Sequence, residues 1–133
     1  MLKWDSSYSV KVKEIDDQHR QMIDYINQVE LAPYGEDNRV TIVNVLNGLV
    51  AYTRDHFATE ETYFKRFDYE NADAHITEHL KLMNDVEQLV YRFEIGDKLD
   101  LKDVSLFLEH WLLDHILGED KEYMNCFSNN GLT

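Results

Sequence analysis

Proline occurs once, cysteine once and glycine five times in 133 residues, and no strand-like alternation is long enough to compete with the helical periodicity. Proline and glycine punctuate helices, so their scarcity leaves room for long ones. A hydrophobic fraction of 44% argues against disorder and suits a compact helical chain. The single Cys126 excludes an internal disulfide, and its place in a polar C-terminal stretch predicts a free thiol of little consequence. Bases are also few, 13 against 26 acids, for a formal net charge of -13. A surface of that sign repels phosphate backbones and anionic headgroups, which sets aside nucleic acid and membrane as partners. No run approaches the ~18 apolar residues of a membrane span. The opening Met1 to Asp5 carries no apolar stretch resembling a signal peptide, so a cytoplasmic location is expected.

The length suits one domain over residues 1–133. Four segments have helical periodicity, over about 16–31, 38–67, 71–93 and 101–120, behind an N-terminal arm at about 1–15. In the first, His19, Met22, Ile23 and Ile26 follow the i, i+3, i+4, i+7 rule, with Asp16 as the expected N-cap. Pro33 and Gly35 break the chain after it. The second aligns Val45, Leu49, Tyr52, His56, Glu60 and Phe64, and the third His75, His79, Leu82, Val86, Leu89 and Phe93. The fourth opens near Asp100 and sets Val104, Phe107, Leu108, Trp111, Leu112 and His115 on one side. Short connections force antiparallel neighbours, so the predicted fold is all-α, an up-down-up-down four-helix bundle. The arm, with Trp4, Tyr8, Val10, Val12 and Ile15, is left to pack along the bundle or over one end.

Histidines lie within these apolar stripes. A lone buried imidazole is most economically a core residue satisfied by one hydrogen bond, because leaving it without partners costs roughly 1 to 3 kcal/mol. Five of them, His19, His56, His75, His79 and His115, aimed at one region together with Glu60, reverse that preference. His56 and Glu60, like His75 and His79, are i, i+4 pairs sharing one helix face. Imidazole with carboxylate is a transition-metal donor set, whereas calcium prefers oxygen alone. With Asp120 the candidate donors number seven, which exceeds one tetrahedral zinc and suits two iron or manganese ions. The chain has no Glu-x-x-His, the repeated element of ferritin-like di-iron sites, and no His-Glu-x-x-His of zinc peptidases.

The order of these residues resembles the hemerythrin family of bacteria over nearly the whole length, Trp4 to Tyr123. The resemblance rests on Trp4, Ile15-Asp16-Asp17-Gln18-His19, His56-Phe57-Ala58-Thr59-Glu60-Glu61, Tyr69, His75 with His79, Trp111-Leu112-Leu113-Asp114-His115, Asp120 and Tyr123. Glu70 departs from it, since proline often follows that tyrosine in the family. The resemblance implies that His75, His79 and His115 hold one iron and His19 and His56 the other. Glu60 and Asp120, with an oxo or hydroxo group, would bridge the two. The iron held by two imidazoles would then keep a vacant position for dioxygen.

Asp120 is the least regular member. Five residues after His115 amount to about 500° of helix, roughly 140° away on the wheel. Glu119, at i+4, is its geometric rival, and the resemblance decides for Asp120. Gly118, between His115 and Asp120, would permit either a local widening, of the π type found at functional sites, or an end to regular helix. Met22, Phe57, Trp111 and Leu112 are core residues by spacing, and their nearness to the ligands makes them the expected wall of an oxygen pocket. Glu61 and Asp17 are either solvated charges or partners that orient imidazoles, and His110 is expected outside the ligand set. The functional expectation is reversible dioxygen binding for carriage, storage or supply, without catalysis. A sensor acting on a partner protein, itself unknown, and a di-iron peroxidase or oxygenase are the alternatives.

Overall fold

The computed structural model describes residues 1–32 and 38–133. Pro33 and Gly35, expected to end the first helix, lie outside the described residues. Four long helices form: α1 (Lys13–Glu30), α2 (Arg39–Arg66), α3 (Ala72–Glu94) and α4 (Leu101–His115). A π-helical turn, Ile116–Asp120, follows α4, and a short α5 (Met124–Asn129) ends the chain. Among the described residues there is no strand, and no helix is long and apolar enough to cross a membrane. α1 packs beside α2 and α4, and α2 beside α3. The Trp111 indole N–H donates to the Leu82 carbonyl at 3.0 Å and ties α4 to α3, which closes the bundle.

The helices follow their apolar stripes except at Phe107, expected on the inner side of α4 but 44% exposed. Leu46, Leu49, Ile26, Val86 and Leu108 are buried in one cluster. Asp100 caps α4, its carboxylate accepting the Lys102 N–H at 2.8 Å. Gly48 stands in mid-helix where a β-carbon would come within 2.8 Å of the Tyr25 ring, so its absence admits that ring between α1 and α2.

Two expectations need correction. The first helix begins at Lys13, so the arm ends at Val12 and Ile15 is helical. Asp16 is not its N-cap: the Asp16 N–H already bonds the Val12 carbonyl at 2.9 Å inside the helix. Its buried carboxylate reaches back instead, accepting from Ser9 Oγ at 2.6 Å and Val10 N at 2.9 Å. This pulls the arm onto the helix, along which it runs as far as Asn27, whose amide exchanges two hydrogen bonds with the Leu2 backbone.

The second correction concerns the C-terminal stretch, which is not a plain polar tail. Phe127 of α5 is fully buried and stacks on Tyr123 with ring centroids 4.3 Å apart. With Val10, Val12, Ile15, Phe64 and Tyr69 they make a second, aromatic-rich cluster. The histidines lie between the two clusters. Phe64 of the second is 4.7 Å from the His75 ring, and Phe57 of the first is 3.7 Å from the His79 ring.

Candidate metal centre

Each long helix sends side chains to one buried point. α1 supplies His19, α2 His56 and Glu60, α3 His75 and His79, and α4 with its π-turn His115 and Asp120. All seven are at most 4% exposed. They form two overlapping groups in which donor atoms lie within 4.8 Å of one another: Glu60, His75, His79, His115 and Asp120 in one, His19, His56, Glu60 and Asp120 in the other. Both carboxylates belong to both groups. Asp120 divides its oxygens accordingly, Oδ1 lying 3.0 Å from Nε2 of both His75 and His115 and Oδ2 3.1 Å from His19 Nε2. Glu60 Oε1 lies 3.0 Å from His56 Nε2 and 3.4 Å from His79 Nε2.

These approaches are close, yet they are not aligned as hydrogen bonds. Nε2 of all five histidines and all four carboxylate oxygens lack a hydrogen-bond partner despite being buried. So many unmet polar atoms in one core would be prohibitively costly as a final state, at roughly 1 to 3 kcal/mol for each. Donors aimed at a common point rather than at one another are the signature of a metal site. Their spacing agrees, because adjacent ligands about 2.1 Å from an octahedral ion stand about 3.0 Å apart. The residues therefore fit a transition-metal centre.

The π-turn resolves the register of Asp120. Within it the Lys121 N–H bonds the Ile116 carbonyl, one residue further back than in an α-helix, and the widened turn swings Asp120 inward. Gly118 sits there, but a β-carbon at Gly118 would meet nothing within 4 Å, so the widening does not depend on its small size. Glu119 is carried to the other side of the His115 ring, 3.7 Å from Nδ1 and half-exposed.

Behind the inner nitrogens, further groups hold two rings. The Glu61 carboxylate is 2.8 Å from His79 Nδ1. The Gln18 carbonyl oxygen is 2.6 Å from His56 Nδ1, and the Gln18 amide donates to Thr59 Oγ1 at 3.2 Å. Of the two acids that sequence left open, Glu61 orients a ring, while Asp17 pairs on the surface with Lys13 and Arg20. His110 is exposed. Sequence reasoning gave Gln18 no role, though its place directly before His19 was a usable signal. It also missed that Tyr123 is fully buried, with its ring 5.7 Å from that of His75.

Met22, Phe57, Trp111 and Leu112 are all buried in the first cluster. Phe57 lies against imidazoles of both groups, stacked on His79 at 3.7 Å and 5.7 Å from the rings of His56 and His115.

The carboxylates and imidazoles of the centre shift one another's ionisation even without metal. Burial works against ionised Glu60, and the charge of Asp120 does so too, but His56 and His79 prevail and hold its carboxyl down at about 2. Asp120 lies well below the usual carboxylate range despite its burial, because His115, His19 and His75 surround it. Burial likewise opposes the His115 imidazolium, yet Asp120, Glu60 and Glu119 lift it to about 9. His19 goes the other way: desolvation outweighs Asp120 and lowers it, which favours the neutral, ligating form. Burial also pushes the Tyr123 phenol well up, with Asp120 and Glu60 adding to the effect.

Fold and site together define a metal-binding helical bundle whose centre is rich in imidazole. The chain belongs to the hemerythrin family: the family model of the hemerythrin HHE cation binding domain matches residues 10–127. It is 32% identical to the bacteriohemerythrin of Methylococcus capsulatus, with 96% of this chain and 98% of that one covered. With the bacteriohemerythrin of Pseudomonas aeruginosa strain LESB58 it shares 30% identity over 94% of this chain and 80% of that one. Its structure is similar to the crystal structure of a wild-type hemerythrin, with a TM-score of 0.87 at 32% identity, covering 96% of this chain and 98% of that one.

Proposed function

We propose that this chain binds dioxygen reversibly at a non-haem di-iron centre, for carriage, storage or local supply. One observation carries the reading: two donor groups share Glu60 and Asp120 but differ in imidazole, three against two. In this assignment His75, His79 and His115 would hold one iron and His19 and His56 the other, with both carboxylates and an oxo or hydroxo group between them. When bound, a ferrous pair supplies two electrons for the reversible reduction of dioxygen.

The chain's own residues create the conditions for it. Two imidazoles in place of three would leave room beside one metal for a small ligand. Gln18 and Glu61 fix the ring planes of His56 and His79, so that the donors are arranged before the metal arrives. Met22, Phe57, Trp111 and Leu112 are the apolar wall that keeps water and anions from that position. The donor set favours binding over turnover. A carboxylate-poor, imidazole-rich shell in a dry box holds a small gas, and sequence and fold both align with hemerythrins.

The test is anaerobic reduction followed by oxygen titration, with metal analysis of the same sample. Two irons per chain and a spectrum that returns when oxygen is removed are expected. Irreversible bleaching, or a single zinc, would exclude the reading.

A further inference from the structure

The His115 ring faces two ways. Nε2 looks into the buried centre, while Nδ1 on the outer side is buried without a hydrogen bond and lies 3.7 Å from Glu119 Oε2. With the residue only 4% exposed, that nitrogen is an unmet polar atom aimed at a carboxylate. Glu78 of α3 completes a third group, in which one donor atom each from Glu78, His115 and Glu119 lie within 4.8 Å of one another. Beside Glu78 and Glu119 opens a mouth of about 290 Å³, lined by these two with Asn71, Ala74, His75 and Glu122, with neither Lys nor Arg among them. Its wall thus includes the outer side of His75, another imidazole whose Nε2 belongs to the centre.

The π-turn builds this arrangement. By setting Asp120 at Nε2 and Glu119 toward Nδ1, it stations consecutive carboxylates at the two nitrogens of one ring. One carboxylate faces the core and the next faces the mouth.

We infer that Glu78, Glu119 and His115 Nδ1 form a transient receiving site for a divalent cation on its way to the buried centre, with Glu122 at the rim drawing cations in. The inference rests on the di-iron reading above. Carboxylates with imidazole suit a ferrous ion, and three donors at an open mouth leave its other positions to water, so the ion stays exchangeable. A site of this kind governs rate and leaves final occupancy alone.

The experiment follows exchange of ⁵⁷Fe²⁺ into the reduced, iron-loaded protein under anaerobic conditions, read by mass spectrometry of the bound iron. In Glu78→Gln/Glu119→Gln, exchange should slow roughly tenfold, the lower end of what a charged cleft contributes to cation association. Iron content should stay at the wild-type level. Unchanged exchange would overturn the port. So would iron lost at equilibrium from Glu78→Gln alone, because Glu78 contributes to neither buried group and such a loss marks a structural part. Asp85→Asn/Glu94→Gln removes the same charge elsewhere on α3, and equal slowing there would reduce the effect to net charge and overturn it too. A wild-type chain that takes up no iron sinks the di-iron reading itself, an outcome distinct from two bound irons that exchange at an unaltered rate.

Discussion

Single side chains divide into those that hold metal, those that aim the holders and those that keep the site dry. Glu61 belongs to the second kind, and Glu61→Ala should free the His79 ring and lower metal affinity about 10- to 100-fold, as such supports do elsewhere. Competition with a chelator measures it. Leu112 is proposed for the third kind. Leu112→Ala should cost about 2 to 5 kcal/mol in a melt, and speed conversion of the oxygenated to the ferric form while iron content holds. Protons provide a further test. With its pKa raised from 6.5 to about 9, His115 contributes stability to the metal-free chain that is complete below 6.5 and lost as pH rises through about 9. Glu60, lowered from 4.5 to about 2, has the opposite sign, its contribution present above 4.5 and lost as pH falls through about 2. A metal must displace the His115 proton, so uptake near pH 7 should release it, and affinity should fall about tenfold per unit of acidification below about 9. A pH indicator in weakly buffered solution reads the release. The five histidines were legible because imidazole is conspicuous inside an apolar stripe, and Asp120 only through the family resemblance. Gln18 was not, since its partner His56 lies on another helix, 38 residues away.

At the scale of elements, α2 and α3 were legible to within a residue or so because their stripes run unbroken through the ligands. The start of α1 was not. Asp at position 16 has the residue type of a cap, and only the folded arm reveals that its carboxylate serves Ser9 and Val10. α5 was illegible for a different reason: at six residues it is too short to display a period, and Phe127 stands among polar neighbours. The π-turn was foreseen as a need of Asp120, with Gly118 offered as the means. Open space around Gly118 removes the steric part of that account. Gly118→Ala should therefore keep its iron and gain about 0.4 to 1 kcal/mol through a less disordered unfolded chain. Loss of iron, measured alongside the melt, would return the turn's geometry to the glycine.

For the whole molecule, the helical bundle was legible from period and from the scarcity of Pro and Gly, whereas the division of its interior into two clusters on either side of the histidines was not. That division follows from the arm and α5, both of which pack onto the second cluster. Removing the metal from the folded chain leaves opposed charges and unmet donors between the clusters, so the melting temperature should drop on chelation and recover with iron. The donors come from all four long helices, and His19 and Asp120 are about a hundred residues apart in the chain. An ion shared by both is thus a clasp across nearly the full contour of the polypeptide. By the chain-entropy argument, closing a loop of that length removes on the order of 4 to 5 kcal/mol of freedom from the unfolded state. With the clasp shut no helix can peel away alone, and breathing motions of separate helices give way to a single opening event. Amide protons in α1 to α4, which in the metal-free chain exchange at rates set helix by helix, should then converge on one slow rate.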